Sequence, residues 1–173
     1  MNLREEILLD HSKAQCEKIV QWVGGSQKRF DELIRLFLTD GYRVVQRAAW
    51  PVSYCVACHP RLIKKHFPGL VSYLQQPGIP VAVKRNSMRL LQEVSIPPAQ
   101  QGAIMDLCFQ YITNPREAPA VKAFSLTVLQ NLSGIYPEIL PEIKLIIEER
   151  WDTETPAFRS RARRILSEPG FTG

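Results

Sequence analysis

Apolar positions recur along this chain at helical spacing, and the helical segments themselves recur. Aligning Val44, Val83, Val121 and Phe158 gives steps of 39, 38 and 37 residues. Four positions after each anchor stands a small residue: Ala48, Ser87, Ser125 and Ala162. Seven positions on are Pro51, Leu90, Val128 and Ile165, and eight positions on are Val52, Leu91, Leu129 and Leu166. Offsets 0, 4, 7 and 8 fall on one face of a helix. Each segment therefore predicts an amphipathic helix whose mid-face small residue lets a neighbouring helix come close. A second series precedes it: Leu33, Leu70 and Leu107 at steps of 37, then Leu145 after 38. Each unit reads as a first helix, a turn and a second helix, the sign of a stacked helical repeat.

The punctuation of the chain agrees with that reading. Ser26 is placed to cap the helix running toward Thr39, and Asp40-Gly41 turns into the next one. Pro60, Pro98, Pro119, Pro137 or Pro141, and Pro156 sit where helices start. Gln76-Pro77-Gly78-Ile79-Pro80 and Asn114-Pro115 are turns, and the helix after Pro80 is expected to reach about Val94. Pro51 and Pro68 fall inside helical patterns and are expected to kink or split them. The run Val52-Ser53-Tyr54-Cys55-Val56 has strand-like composition, but its place in the repeat argues helix. The expected layout is one all-α domain over 1–173, a superhelix of four helical hairpins. Its parts are an N-terminal capping helix or helix pair over 1–25, repeats over 26–59, 60–96, 97–134 and 135–168, and a tail over 169–173.

With these units in place, the chain resembles the HEAT-repeat proteins of the wider HEAT/armadillo class of α-solenoids. The most typical stretch is Asp40-Gly41-Tyr42-Arg43-Val44-Val45-Gln46-Arg47-Ala48-Ala49-Trp50. It is similar to that family's turn acid followed by valine-x-x-basic-alanine-alanine at the head of a second helix. Later copies, at Val83-Lys84-Arg85-Asn86-Ser87, Val121-Lys122-Ala123-Phe124-Ser125 and Phe158-Arg159-Ser160-Arg161-Ala162, keep the spacing and progressively lose the Arg-Ala-Ala. The resemblance implies second helices that line a concave groove. It implies a scaffold or binding role more readily than an enzymatic one.

Charge sharpens that expectation. The net charge is +5, but residues 41–95 hold eight Lys/Arg against the single acid Glu93, while the flanking stretches are each slightly acidic. On the second helices, the outward offsets carry Gln46/Trp50, Arg85/Arg89, Ala123/Thr127 and Ser160/Arg164. Arg47, Trp50, Lys84, Arg85, Arg89 and Arg164 are therefore the candidate binding residues, suited to an acidic peptide or protein or, as the alternative, to a nucleic-acid backbone. Trp50 is notable as a large aromatic at an outward offset.

No catalytic constellation emerges. Cys55-Val56-Ala57-Cys58-His59 spells the haem-attachment pattern, yet Cys55 lies on the core stripe and no export signal stands at the N-terminus, so neither haem nor another cofactor is expected. A zinc site would need further ligands, and Cys16, Cys108 and His66 lie in other repeats, so no metal is expected. His11, His59 and His66 have no nucleophile motif beside them, and Ser53, Ser72 and Ser87 lie in no G-x-S-x-G turn. Glu5-Glu6, Asp31-Glu32 and Glu148-Glu149 read as solvated helix faces. No apolar run reaches the length of a membrane span. The expectation is a cytoplasmic, non-enzymatic module that binds another protein. The alternative is a nucleic-acid protein similar to the HEAT-like DNA alkylation-repair glycosylases, although the aromatic and acidic groove residues of those enzymes have no full counterpart here.

Overall fold

A computed structural model describes residues 1–168; the tail expected over 169–173 lies outside them. The described chain is helical and contains no strand. Its helices are α1 (Leu3–Leu9), α2 (Lys13–Val23), α3 (Gln27–Thr39), α4 (Tyr42–Cys58), α5 (Phe67–Leu74), α6 (Val81–Leu91), α7 (Pro98–Thr113), α8 (Pro119–Ser133), α9 (Leu140–Arg150) and α10 (Pro156–Leu166). Short 3-10 helices precede α5 (Pro60–His66) and α9 (Pro137–Ile139). In chain order the helices alternate as first and second helices, α1/α2, α3/α4, α5/α6, α7/α8 and α9/α10. The residues 52–56 lie within α4. The chain divides into two compact units, Met1–Gln100 and the part beginning at Gln101.

Local chemistry explains the helix ends. Asn2, Ser12, Ser26 and Thr155 each accept a hydrogen bond from a backbone N–H in the first turn of α1, α2, α3 and α10. Caps of this kind stabilise a helix by about 1 kcal/mol. Gly24, at φ 50°, ends α2 in a conformation that a side chain would strain. α6 stops at Leu91, short of the expected Val94.

In the first unit α4 is the central element, packed against α1, α2, α3 and α6. It buries residues on two faces, including Val44, Val45, Ala48, Ala49, Val52, Cys55 and Val56. Pro51 does not split it: α4 runs through residues 42–58 with the proline ring buried. Packing on several sides outweighs the single backbone bond a proline removes. Pro68 does mark a break, because it sits in the first turn of α5 just after the 3-10 segment, where its missing N–H would have had no helical partner.

In the second unit α8 packs against α10. A buried charge cluster fastens this pair. Lys122 Nζ on α8 lies 2.6 Å from Glu154 Oε1 in the turn before α10, and Arg150 Nε approaches the same oxygen at 2.9 Å. Lys122 and Glu154 are almost fully buried. Two cations compensate one carboxylate, the condition under which burying it is tolerable.

The small residues of the repeat, Ala48, Ser87, Ser125 and Ala162, are all at 0% exposure. The first-helix series holds for Leu33, Leu70 and Leu107 but fails for Leu145, which is 55% exposed. α9 instead buries Ile143, Ile146 and Ile147, an i, i+3, i+4 stripe that turns Leu145 to solvent.

Asp31 is not the solvated-face residue expected of it. Its carboxylate accepts hydrogen bonds from Gln27 Nε2 (2.9 Å) and Lys65 Nζ (2.6 Å) and contacts His66 Nε2 (2.7 Å). It thus ties α3 to the 3-10 segment. Partial burial opposes its ionisation, but the bonds from Lys65, Gln27 and His66 outweigh this and bring Asp31 down to about 2. An unfolded Asp titrates near 3.9. A carboxyl depressed on folding contributes stability above about pH 4 and loses it as the pH falls toward 2. Asp31→Asn is therefore expected to be less stable than wild type at neutral pH, with the difference closing by about pH 2. Urea midpoints across that range measure it, and a pH-independent difference would contradict an electrostatic role.

Candidate functional site

The most chemically distinctive concavity of the first unit lies on the α4–α6 face. α4 and α6 are second helices of successive hairpins, so their outward positions lie side by side. Trp50 and Tyr54 are four residues apart on α4; Arg85 and Arg89 are four apart on α6. Each pair shares one helix face. Together with His11, Gln46, Ala82 and Asn86 they line a cavity of about 350 Å³.

Its aromatic wall is ordered edge to face. The Trp50 ring stands 6.0 Å from His11 at 72° and 6.1 Å from Tyr54 at 73°. Such pairs contribute roughly 0.5–1.5 kcal/mol beyond their area. Trp50 is half-buried by them, so it is held as a wall of the cavity and does not project freely into solvent. The Arg89 guanidinium carbon lies 5.9 Å from the Tyr54 centroid, a cation–π approach. Behind the wall, the buried Asn86 accepts a hydrogen bond from Ser53 Oγ at 3.2 Å and donates to the Ala82 carbonyl at 2.8 Å. This bond joins α4 to α6 beneath the cavity.

The electrostatics are one-sided. Arg85 is exposed and makes no ion pair among the described residues. Like charges four apart on a helix disfavour each other by a few tenths of a kcal/mol, a tension that a bound anion relieves. No Asp, Glu, Ser or Cys lines the cavity, which thus presents donors and aromatic surface but no carboxylate.

Of the residues selected from sequence, Trp50, Arg85 and Arg89 share this cavity. Arg47 lines a neighbouring crevice with His11 and Trp50, and its Nη1 donates to the Leu8 carbonyl at 2.8 Å. Lys84 is half-buried and does not line the cavity. Arg164 is exposed on α10, in the second unit. Tyr54 was not selected, although its spacing from Trp50 was a usable signal. His11 had none, because it enters from the loop between α1 and α2 and no periodicity governs it.

The Cys55–His59 stretch forms no cluster. Cys55 is buried and its thiol is pushed up to about 12, chiefly by burial and further by Cys16 and Cys58. Cys58 is exposed and His59 is half-buried beyond the end of α4. Among the described residues, no group of three or more His, Cys, Asp or Glu side chains is arranged to hold a metal ion. None of the described helices is long and apolar enough to cross a membrane.

A family model for the HEAT repeat domain matches residues 3–169. No curated protein and no solved structure matches the chain.

The thiols offer a direct check on burial at this end of α4. Cys16 and Cys108, like Cys55, are buried and raised to about 12 by desolvation. Ellman's reagent is expected to titrate one thiol rapidly in the native protein, lost in Cys58→Ser, and all four in denaturant. Rapid native reaction of a second thiol would contradict the packing described.

Proposed function

Because the chain belongs to the HEAT-repeat family, whose domain suggests a protein–protein interaction scaffold, we propose that it is a non-enzymatic binding module that recognises an acidic peptide or protein through the α4–α6 face. The observation that carries this reading is the convergence of Arg85, Arg89, Trp50 and Tyr54 on one cavity without a lining carboxylate. Guanidinium groups pair with carboxylates in a planar, two-point fashion, and aromatic walls hold the attached carbon chain. Arg85 supplies the most accessible charge. Arg89 is steadied by Tyr54. Gln46 adds an amide on the α4 side. Arg47 and Lys84 extend the basic character of the same stretch, and Arg164 belongs to a separate basic set on α10.

Nucleic-acid binding is the second reading, supported by the eight-to-one excess of basic residues over residues 41–95. A duplex backbone needs several spaced cations, each releasing counterions. The cavity concentrates its charge on one helix, which suits a compact anionic group better than a long polyanion.

Fluorescence anisotropy separates the two. A fluorescein-labelled oligoglutamate peptide is expected to bind wild type at low salt and to weaken about tenfold or more in the double variant Arg85→Glu/Arg89→Glu. Duplex DNA is expected to show no comparable affinity at physiological salt. Peptide binding unchanged by the double variant would sink the proposal, and tight DNA binding with a steep salt slope would replace it with the second reading.

A further inference from the structure

The Tyr54–Arg89 pair does more than complete one cavity. The same two side chains also line a second, smaller cavity of about 160 Å³, shared with Ser53, Ala57, Leu90 and Glu93. The pair is therefore a partition with a depression on either side of it.

The two depressions differ in chemistry. On one side stand Arg85, Trp50 and His11. On the other, Ala57 and Leu90 give an apolar floor, and the only ionised group besides Arg89 is the carboxylate of Glu93. Glu93 is also the single acid in the whole stretch 41–95. The charge thus differs across the partition: two arginines face the first cavity, whereas Arg89 and Glu93 offset each other at the second. A volume of 160 Å³ matches about five waters at ~30 Å³ each, enough for a branched aliphatic side chain.

From this geometry we propose that the α4–α6 face reads a two-part peptide motif. An anionic side chain sits against Arg85 and Trp50, and an apolar side chain nearby in sequence sits against Ala57 and Leu90. The Tyr54–Arg89 pair separates the two seats and fixes the spacing between them. This rests on the acidic-peptide reading above and narrows it: an acidic side chain engages the first seat, and the second, where Glu93 stands beside Arg89, adds affinity only for an apolar side chain. A uniformly acidic segment therefore binds more weakly than one that pairs an acidic with an apolar side chain.

The test is selection of random-sequence peptides displayed on phage against the immobilised full chain. Wild type is expected to enrich peptides pairing Asp or Glu with Leu, Ile, Val or Met at one fixed short spacing. Arg85→Glu is expected to lose the acidic preference and keep the apolar one; Ala57→Glu is expected to do the reverse. Both positions are exposed, and circular dichroism verifies that both variants stay folded. Acidic peptides enriched without an apolar residue at fixed spacing would overturn the two-part motif while leaving the acidic-peptide reading intact. No enrichment over an unrelated control protein, or an enriched set identical in wild type and both variants, would overturn both.

Discussion

The constraint on which the rest depends is the close approach of second helices within each unit, α4 to α6 and α8 to α10, each carrying a small buried side chain. Ala48, Ser87, Ser125 and Ala162 are all fully buried. Their shared property is size. Ser125 donates its hydroxyl to the Val121 carbonyl at 2.7 Å, whereas the Ser87 hydroxyl has no partner. Hydrogen bonding is therefore not what the position requires. A longer side chain there would hold the helices apart, and closely packed interiors have little room to absorb one.

That approach is also what makes the cavity. With α4 and α6 in contact, residues six and ten positions after Val44 lie beside residues two and six positions after Val83. An aromatic pair from one helix then faces an arginine pair from the other. The buried Ser53–Asn86 bond ties the two helices directly beneath. Helices present the side chains, so the proposed seats would stand formed before a partner arrives, which lowers the ordering cost of binding.

The repeat was legible because it is written in periodicity. Every second-helix anchor, Val44, Val83, Val121 and Phe158, is buried as its register implies. The first helices were less readable: α9 carries four apolar residues at 143 and 145–147, and a crowded apolar run does not say which face turns inward. Pro51 leaves α4 whole because propensity describes an isolated helix, and α4 is held by α1, α2, α3, α6 and the 3-10 segment that follows it. Trp50, Arg85 and Arg89 could be grouped from their offsets. His11 could not, because it reaches the cavity from a loop. The Asp31 and Glu154 charge clusters were equally hidden, as Lys65, His66 and Lys122 lie more than thirty residues from the carboxylates they meet. Periodicity exposes what one helix does with its own faces; it is silent on which distant side chains meet.

The central claim is that one small-residue position, repeated in each second helix, sets how closely second helices pack within each unit. Urea unfolding of Ala48→Leu, Ser87→Leu, Ser125→Leu and Ala162→Leu tests it most directly, with the exposed Ala14→Leu on α2 as control. Each of the four is expected to lose about 1–3 kcal/mol, while the control stays within about 0.5 kcal/mol. If leucine were accepted at all four positions as readily as at Ala14, the layers would not be in close contact there, and the account of the cavity built on that contact would fail.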